Sequence, residues 1–468
     1  MISISCSTEI HLPRRRVSSV VFALGLALPC AAAIADATMS VSADVQPLPE
    51  SITVANCNDS GPGSLREAIA NAVSGDLVDL SNLNCSIITL SSGQIEIPQN
   101  DLYLKYSGEG GTPPIIEGNL SSRVFHHTGY GTLRLVGLTI REGKYDNTNF
   151  FQLIHANGGC IASSGNLYLL GTTVTACVAR DTRAADAAGG GLYSAGTLTL
   201  SHSTVTGNTA TSTARFGSGG GAFAHAAIDV EYSTVSGNTA SGLQDVNFGG
   251  GLCVINAGTA TSRISHSTLE GNRSNRGAGL MISGIGNGGA SITIENSTIS
   301  GNTANDYAAA LYIDGALTLT SSTIASNLSA SGPGVEIADS AYAATFDSSI
   351  IAGNLEDGAT AYDLGDRGYS ITIAGSNNLI VAANASIHLP PDTLSDDPHL
   401  LLLADNGGPT RTHALANGSP AIDAGSLAGA AATDQRGAGY ARVVGARADI
   451  GAFEVQTVDD TIFADGFD

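Results

Sequence analysis

The octet STVTGNTA (residues 203–210) comes back as STVSGNTA (233–240) and, with substitutions, as STLEGNRS (267–274), STISGNTA (297–304) and STIASNLS (322–329). Aligned on the asparagine, the series reads Asn208, Asn238, Asn272, Asn302, Asn327 and Asn354, at intervals of 30, 34, 30, 25 and 27 residues. Cys177 holds the same place 31 residues before Asn208. Repeats of this length indicate a solenoid or an array. Inside each interval apolar residues alternate with small polar ones: Leu198 and Leu200 then Val205, Ile228 and Val230 then Val235, Ile292 and Ile294 then Ile299, Leu317 and Leu319 then Ile324. A period of two signals strands, and three such strands per interval make a coil with one face turned inward. The glycine and β-branched content excludes a helical repeat.

The expected fold is all-β, a right-handed single-stranded parallel β-helix of about ten rungs. Each coil opens on small residues, as in NGGC, GGGL, GGGA, GAGL and AAAL. Between the asparagine and this opening lies a polar stretch of variable length, read here as a loop (residues 181–188, 209–218 and 241–247). Parallel stacking sets each asparagine about 4.8 Å above the last. At that distance one amide donates to the next and also satisfies backbone groups at a bend. The glycine before it supplies left-handed backbone. An outward array of ligand-binding amides is the competing reading, but a buried Asn ladder accounts for both residues of Gly-Asn.

The chain opens with Arg14, Arg15 and Arg16, an apolar run from Val17 to Leu28, and small residues from Ala31 to Ala37. Residues 1–37 read as a secretory signal, too short in its apolar run for a membrane span. Without them 17 basic and 40 acidic side chains are left, and lysine occurs only at Lys105 and Lys144. Such a chain repels phosphate backbones, so nucleic acid is not an expected partner. Five cysteines would meet an oxidising compartment, giving the expected disulfides Cys57–Cys85 and Cys160–Cys177 and a leftover thiol at Cys253. No Cys-x-x-Cys or His-x-x-x-His spacing appears, so neither a metal nor a cofactor is expected.

Solenoid ends need covering. In CNDSGPGSLREAIANA (57–72), Ser64 and Glu67 form a capping box, and Leu65, Ala68, Ile69 and Ala72 share one face of a short helix. This segment resembles the CSLREA segment of secreted bacterial β-helix proteins, and the Gly-Gly openings with Gly-Asn turns resemble repeats of the polymorphic outer-membrane-protein kind. LLLADNGGPTRTHALANGSPAIDAG (401–425), with TDQRG and ADIGAFE beyond it, is similar to the choice-of-anchor Q domain. The resemblance implies an exported solenoid, surface-associated or released, and no settled activity. The domain reading is a signal at 1–37, a linker and N-terminal cap at 38–86, the β-helix at 87–395, an irregular C-terminal cap at 396–456 and an acidic-aromatic tail at 457–468.

For chemistry, residues seven before each Gly-Asn asparagine form an outward column: Ser201, Glu231, Ser265, Glu295 and Thr320. Glu231 and Glu295 stand two rungs apart, about 9.6 Å, just beyond the range of an inverting hydrolase. The next column, His202, Tyr232, His266, Asn296 and Ser321, separates its histidines by a full rung, too far for one metal. Both are read as ordinary surface and turn residues. Asp423, Asp434, Arg436 and Asp449 are read as pairing that holds the cap. The octet threonines (Thr204, Thr234, Thr268, Thr298, Thr323) read as an outward ladder facing solvent. Without tryptophan, stacking platforms for sugars must come from a few tyrosines. The expected function is contact with extracellular polysaccharide or a host or matrix surface, in adhesion and without catalysis. The alternative is a polysaccharide lyase or hydrolase, which requires acids and a basic group converging on one face.

Overall fold

The computed structural model describes residues 50–456, apart from 109–110, 148–154, 184, 244–246, 257–259, 285–289, 339–342 and 428–430. The segments read as signal (1–37) and tail (457–468) lie outside the described residues. Every strand pairing between coils is parallel, and the stack is a parallel β-solenoid of about ten turns. One turn shows the plan. Leu192–Ser194 and Leu198–Ser201 lie on either side of a corner, Thr204–Thr206 follows on a second face, and Thr209–Ser212 on a third. The first two stacks merge into a 22-stranded sheet, because Leu311–Thr320 runs through the corner without a break. The Thr204–Thr206 position repeats in an 11-stranded sheet, here called the threonine sheet.

From Lys144–Asn147 onward the turns carry a fourth strand where the apolar period indicated three, and three of them add a short fifth, as at Gly217–Ser218. The fourth begins right after Cys177, at Val178–Asp181, or after the asparagine, at Thr209–Ser212, Thr239–Gly242, Arg273–Arg276 and Thr303–Tyr307. These stretches were read as loops because their inward residues are alanine and serine (Ala179, Ala210, Ser274, Ala304), too small to register as an apolar period. Small residues also dominate the coil openings. A side chain on Gly190 would run into the carbonyl oxygen of Gly220, and one on Gly220 into that of Gly250.

The asparagines lie inside. Asn208 Nδ2 donates to Asn238 Oδ1 at 3.0 Å, and the series continues through Asn272, Asn302, Asn327 and Asn354 at 2.7–3.0 Å. Each Oδ1 also accepts the backbone N–H of the previous asparagine, and each Nδ2 donates a second time, to a carbonyl of the coil before, as Asn238 does to Val205 at 2.9 Å. All are essentially inaccessible to solvent, so an amide with every site used costs nothing in unmet hydrogen bonds. Left-handed backbone precedes each one, at Gly207, Gly237, Gly271, Gly301 and Gly353, and at Ser326 before Asn327.

The first turn is covered by the helix Leu65–Asn71. Ser64 Oγ accepts the Glu67 N–H at 3.2 Å, while Glu67 Oε2 accepts that of Gly63, one residue before the cap. Leu65, Ala68, Ile69 and Ala72 are buried. The disulfide Cys57–Cys85 ties the segment before the helix to the chain after it; Cys160–Cys177 closes a second loop, and Cys253 is a buried thiol.

Residues 396–456 are irregular, with isolated bridges only. They lie along the outward face of the threonine sheet. Gln435 is fully buried there: its Oε1 accepts from Thr298 Oγ1 at 2.6 Å, and its Nε2 faces Thr268 Oγ1 and Thr410 Oγ1, each at 3.0 Å. Thr323 Oγ1 accepts the Ala452 N–H at 3.0 Å. Further along, Ile350, Ala352 and Leu379 share a second apolar cluster with Leu415, Ala421, Ile450 and Phe453. Of the five octet threonines read as facing solvent, Thr268, Thr298 and Thr323 are therefore buried, and Thr204 and Thr234 are partly exposed.

Candidate functional site

The strand Leu192–Ser194 turns Leu192 and Ser194 inward and Tyr193 outward, and Ala222–Ala224 does the same with Phe223. Tyr193 and Phe223 are direct partners on neighbouring rungs, with ring centroids 5.7 Å apart and planes 6° from parallel. His225, two residues on and so on the same face, stands edge-on to both, 5.7 Å from Tyr193 and 5.0 Å from Phe223. Opposite, Phe216 and Phe248 rise from the returning side of successive turns, 6.3 Å apart. Between these walls lies a cleft of about 220 Å³, lined also by Asn157, Ser218 and Ile255.

The rim carries the charge. His155 Nδ1 is 3.5 Å and Arg215 Nε 3.4 Å from Asp186, so one carboxylate is shared by two basic groups. Partial desolvation against the aromatic wall pushes His225, itself an exposed residue, below its ordinary value, with His155 adding to the effect. Burial likewise raises Tyr193, which keeps its hydroxyl proton. A flat apolar wall with a few polar groups at its edge suits a ligand with both apolar faces and hydroxyls.

This cleft draws on two of the stretches read as loops, through Asp186 and Ala188 and through Phe216 and Ser218. Its aromatic wall was missed. The signal was present: the second residue after each Gly-Gly or Ala-Ala opening runs Tyr193, Phe223, Cys253, Met281, Tyr312 and Glu336, one outward column. Aromatic residues are sparse in the whole chain, but the fold gathers them here.

Glu231, Ser265 and Glu295 do share a column, as their spacing required. A basic residue joins them: Arg263 Nε donates to Glu295 Oε1 at 3.1 Å, and Arg263 Nη1 lies 4.0 Å from Asp229. Burial works against the charge on Arg263, but Glu295, then Asp229 and Glu231, outweigh it and hold the guanidinium above its ordinary value. An arginine so held keeps its proton, and Glu295 is engaged by it, which makes this convergence an ion-pair patch in the structure. Beside it His202, Tyr232 and His266 stack at 5.0 and 4.5 Å, all on left-handed backbone. His266 departs from the expectation of a satisfied turn residue: its Nδ1 is buried and finds no partner among the described residues.

In the C-terminal segment Arg436 is buried, 2.7 Å from Asp434, and its guanidinium sits over the rings of Tyr440 and Phe453 at 4.0 and 3.9 Å. Asp449 accepts the N–H groups of Asp423 and Val455, each at 2.8 Å. Arg442 and Glu454, which the sequence reading passed over, form a second buried pair at 3.4 Å. Among the described residues no group of three or more His, Cys, Asp or Glu could hold a metal, and no helix is long and apolar enough to cross a membrane.

No family model matches the chain, and no curated protein matches it. Among solved structures, a crystal structure of the pectate lyase Pel9A is similar, with 14% identity, 87% of this chain and 97% of that chain covered, and a TM-score of 0.39. At that level of likeness nothing about activity passes to this chain.

Proposed function

We propose that this chain is an exported β-solenoid that holds extracellular polysaccharide against the Tyr193–Phe223 wall. Tyr193, partly exposed and stacked on the buried Phe223 with His225 across its edge, carries the reading, because an aromatic ring packs on the apolar face of a sugar while the rim supplies hydrogen bonds. Two disulfides support a life outside the reducing cytoplasm, as does the signal-like start. The resemblance of the two ends to CSLREA and choice-of-anchor Q proteins supports the same location.

Affinity electrophoresis of the processed protein through gels containing neutral or acidic polysaccharides tests this. Retardation by at least one polymer is expected, with Tyr193→Ala or Phe223→Ala weakening binding roughly ten-fold, the scale of one aromatic contact at about 1.4 kcal/mol. Retardation unchanged in both variants would move the site elsewhere. Release of reducing ends or unsaturated products, lost on Glu231→Gln or Glu295→Gln, would favour the lyase or hydrolase alternative instead.

A further inference from the structure

Where the C-terminal segment meets the threonine sheet it leaves an open groove of about 620 Å³. The floor is the row of turn glycines Gly237, Gly271 and Gly301, and a Cβ added to any of them would meet no heavy atom closer than 3.8 Å. One wall holds Ser300, the last residue of the strand Thr298–Ser300; the other holds His413, and the two residues, 3% and 4% exposed, meet at the groove's buried edge. His413 Nδ1 lies 2.6 Å from the Leu401 carbonyl oxygen, which only accepts, so Nδ1 carries the proton. Nε2 therefore presents its lone pair, and Ser300 Oγ is 2.8 Å from it. The histidine is fixed by a ladder of backbone bonds, Leu401 N–H to Ala414 O and Thr412 with Ala404 in both directions.

We infer that Ser300 and His413 are a nucleophile and general base that hydrolyse carboxylic esters, the substrate being acyl groups on hydroxyls of the polysaccharide proposed above. A serine is a weak nucleophile until a base accepts its proton, and the required contact, a serine hydroxyl on an imidazole oriented through its other nitrogen, is complete here. In the first step the Ser300 proton passes to His413 Nε2 as Oγ bonds to the acyl carbon. The bond from that carbon to the sugar oxygen then breaks, and the sugar oxygen takes the proton from Nε2. Water attacks the acyl-serine, gives its proton to Nε2, and the acid leaves as Ser300 recovers its hydrogen. Arg411, paired with Glu270 at 2.8 Å and bonded to Leu403 O at 2.7 Å, lines the same groove. Burial holds His413 below its ordinary value, beside the charge of Arg411, so the ring is neutral near pH 7. Thr206, Ser236 and Glu270 precede Ser300 in its column, and the groove's one histidine lies at Ser300.

The substrate class rests on the proposed polysaccharide contact; the Ser300–His413 chemistry does not. The test treats the processed protein with a fluorophosphonate probe and, separately, with p-nitrophenyl acetate and an O-acetylated polysaccharide. The probe is expected on Ser300 by peptide mass spectrometry. Ester hydrolysis should fall a hundred-fold or more in Ser300→Ala and in His413→Gln, roughly the contribution of a general base, while the thermal midpoint of His413→Gln stays close to native. Native protein that is unlabelled at Ser300, or hydrolysis equal in all three proteins, overturns the inference and leaves polysaccharide binding at Tyr193 intact. Cleavage of p-nitrophenyl acetate through Ser300 without acetate release from the polymer overturns the substrate class alone.

Discussion

Asn354 donates its side-chain amide to Asp363 Oδ1 at 2.8 Å, and its backbone N–H goes to the same oxygen at 2.9 Å. The other carboxylate oxygen accepts the Ala382 N–H at 3.0 Å. The amide ladder thus ends on a group that must accept on both sides. Asp363→Asn keeps shape and volume but turns an NH₂ toward either Asn354 or Ala382. The expected cost is about 1–3 kcal/mol, that of an unmet buried hydrogen bond, read as a lower denaturant midpoint. Unchanged stability would mean that the terminus relaxes around an amide.

Glu336 sets a pH dependence. It is fully buried with no hydrogen bond to either oxygen among the described residues, and Arg367 Nε is 3.6 Å away. Burial raises it from 4.5 to about 7, Arg367 opposes this and Asp366 adds to it. A carboxyl raised on folding favours the protonated native state, so its contribution is whole below pH 4.5 and is lost as pH climbs through about 7. Glu336→Gln should gain on the native protein between pH 4.5 and 8, by on the order of 3 kcal/mol. Urea unfolding of both proteins across that range checks it; parallel curves would contradict it.

Gln435 clamps the C-terminal segment to two rungs at once. Gln435→Ala leaves the buried Thr298 hydroxyl without its acceptor and takes one bond each from Thr268 and Thr410, whose hydroxyls still donate to Arg411 O and His266 O, so residues 396–456 should loosen by about 2 kcal/mol. Faster hydrogen exchange and proteolysis confined to that segment would show this, with the amides of Leu198–Ser201 and Ile228–Glu231 unaffected. Loosening of the whole solenoid together would mean that segment and stack unfold as one unit.

The octet made the fold readable because a period-two strand, a left-handed glycine and a buried amide each leave a residue-type signature at fixed spacing. The capping helix was legible for a similar reason, from Ser64, Glu67 and one apolar face. The fourth strand was hidden because Ala179, Ala210 and Ala304 fill the narrow inner edge where larger side chains would not fit. The path of residues 396–456 could not be read, since Gln435 reaches Thr298 across 137 positions of chain and no local period prepares that contact. The same holds for Ser300 and His413, 113 residues apart. The Tyr193–Phe223 wall does leave a signature, since the column two residues past each small-residue opening recurs rung by rung as the asparagine column does.

The ladder also has a direction. Every amide turns its oxygen and one hydrogen toward the earlier turn and its other hydrogen toward the later one, so a stack interrupted at any asparagine presents at its growing face a backbone N–H and a side-chain N–H that both await the next Oδ1. A chain emerging amino end first offers each newcomer a waiting handhold, and Asp363, with nothing to donate, declares the procession finished.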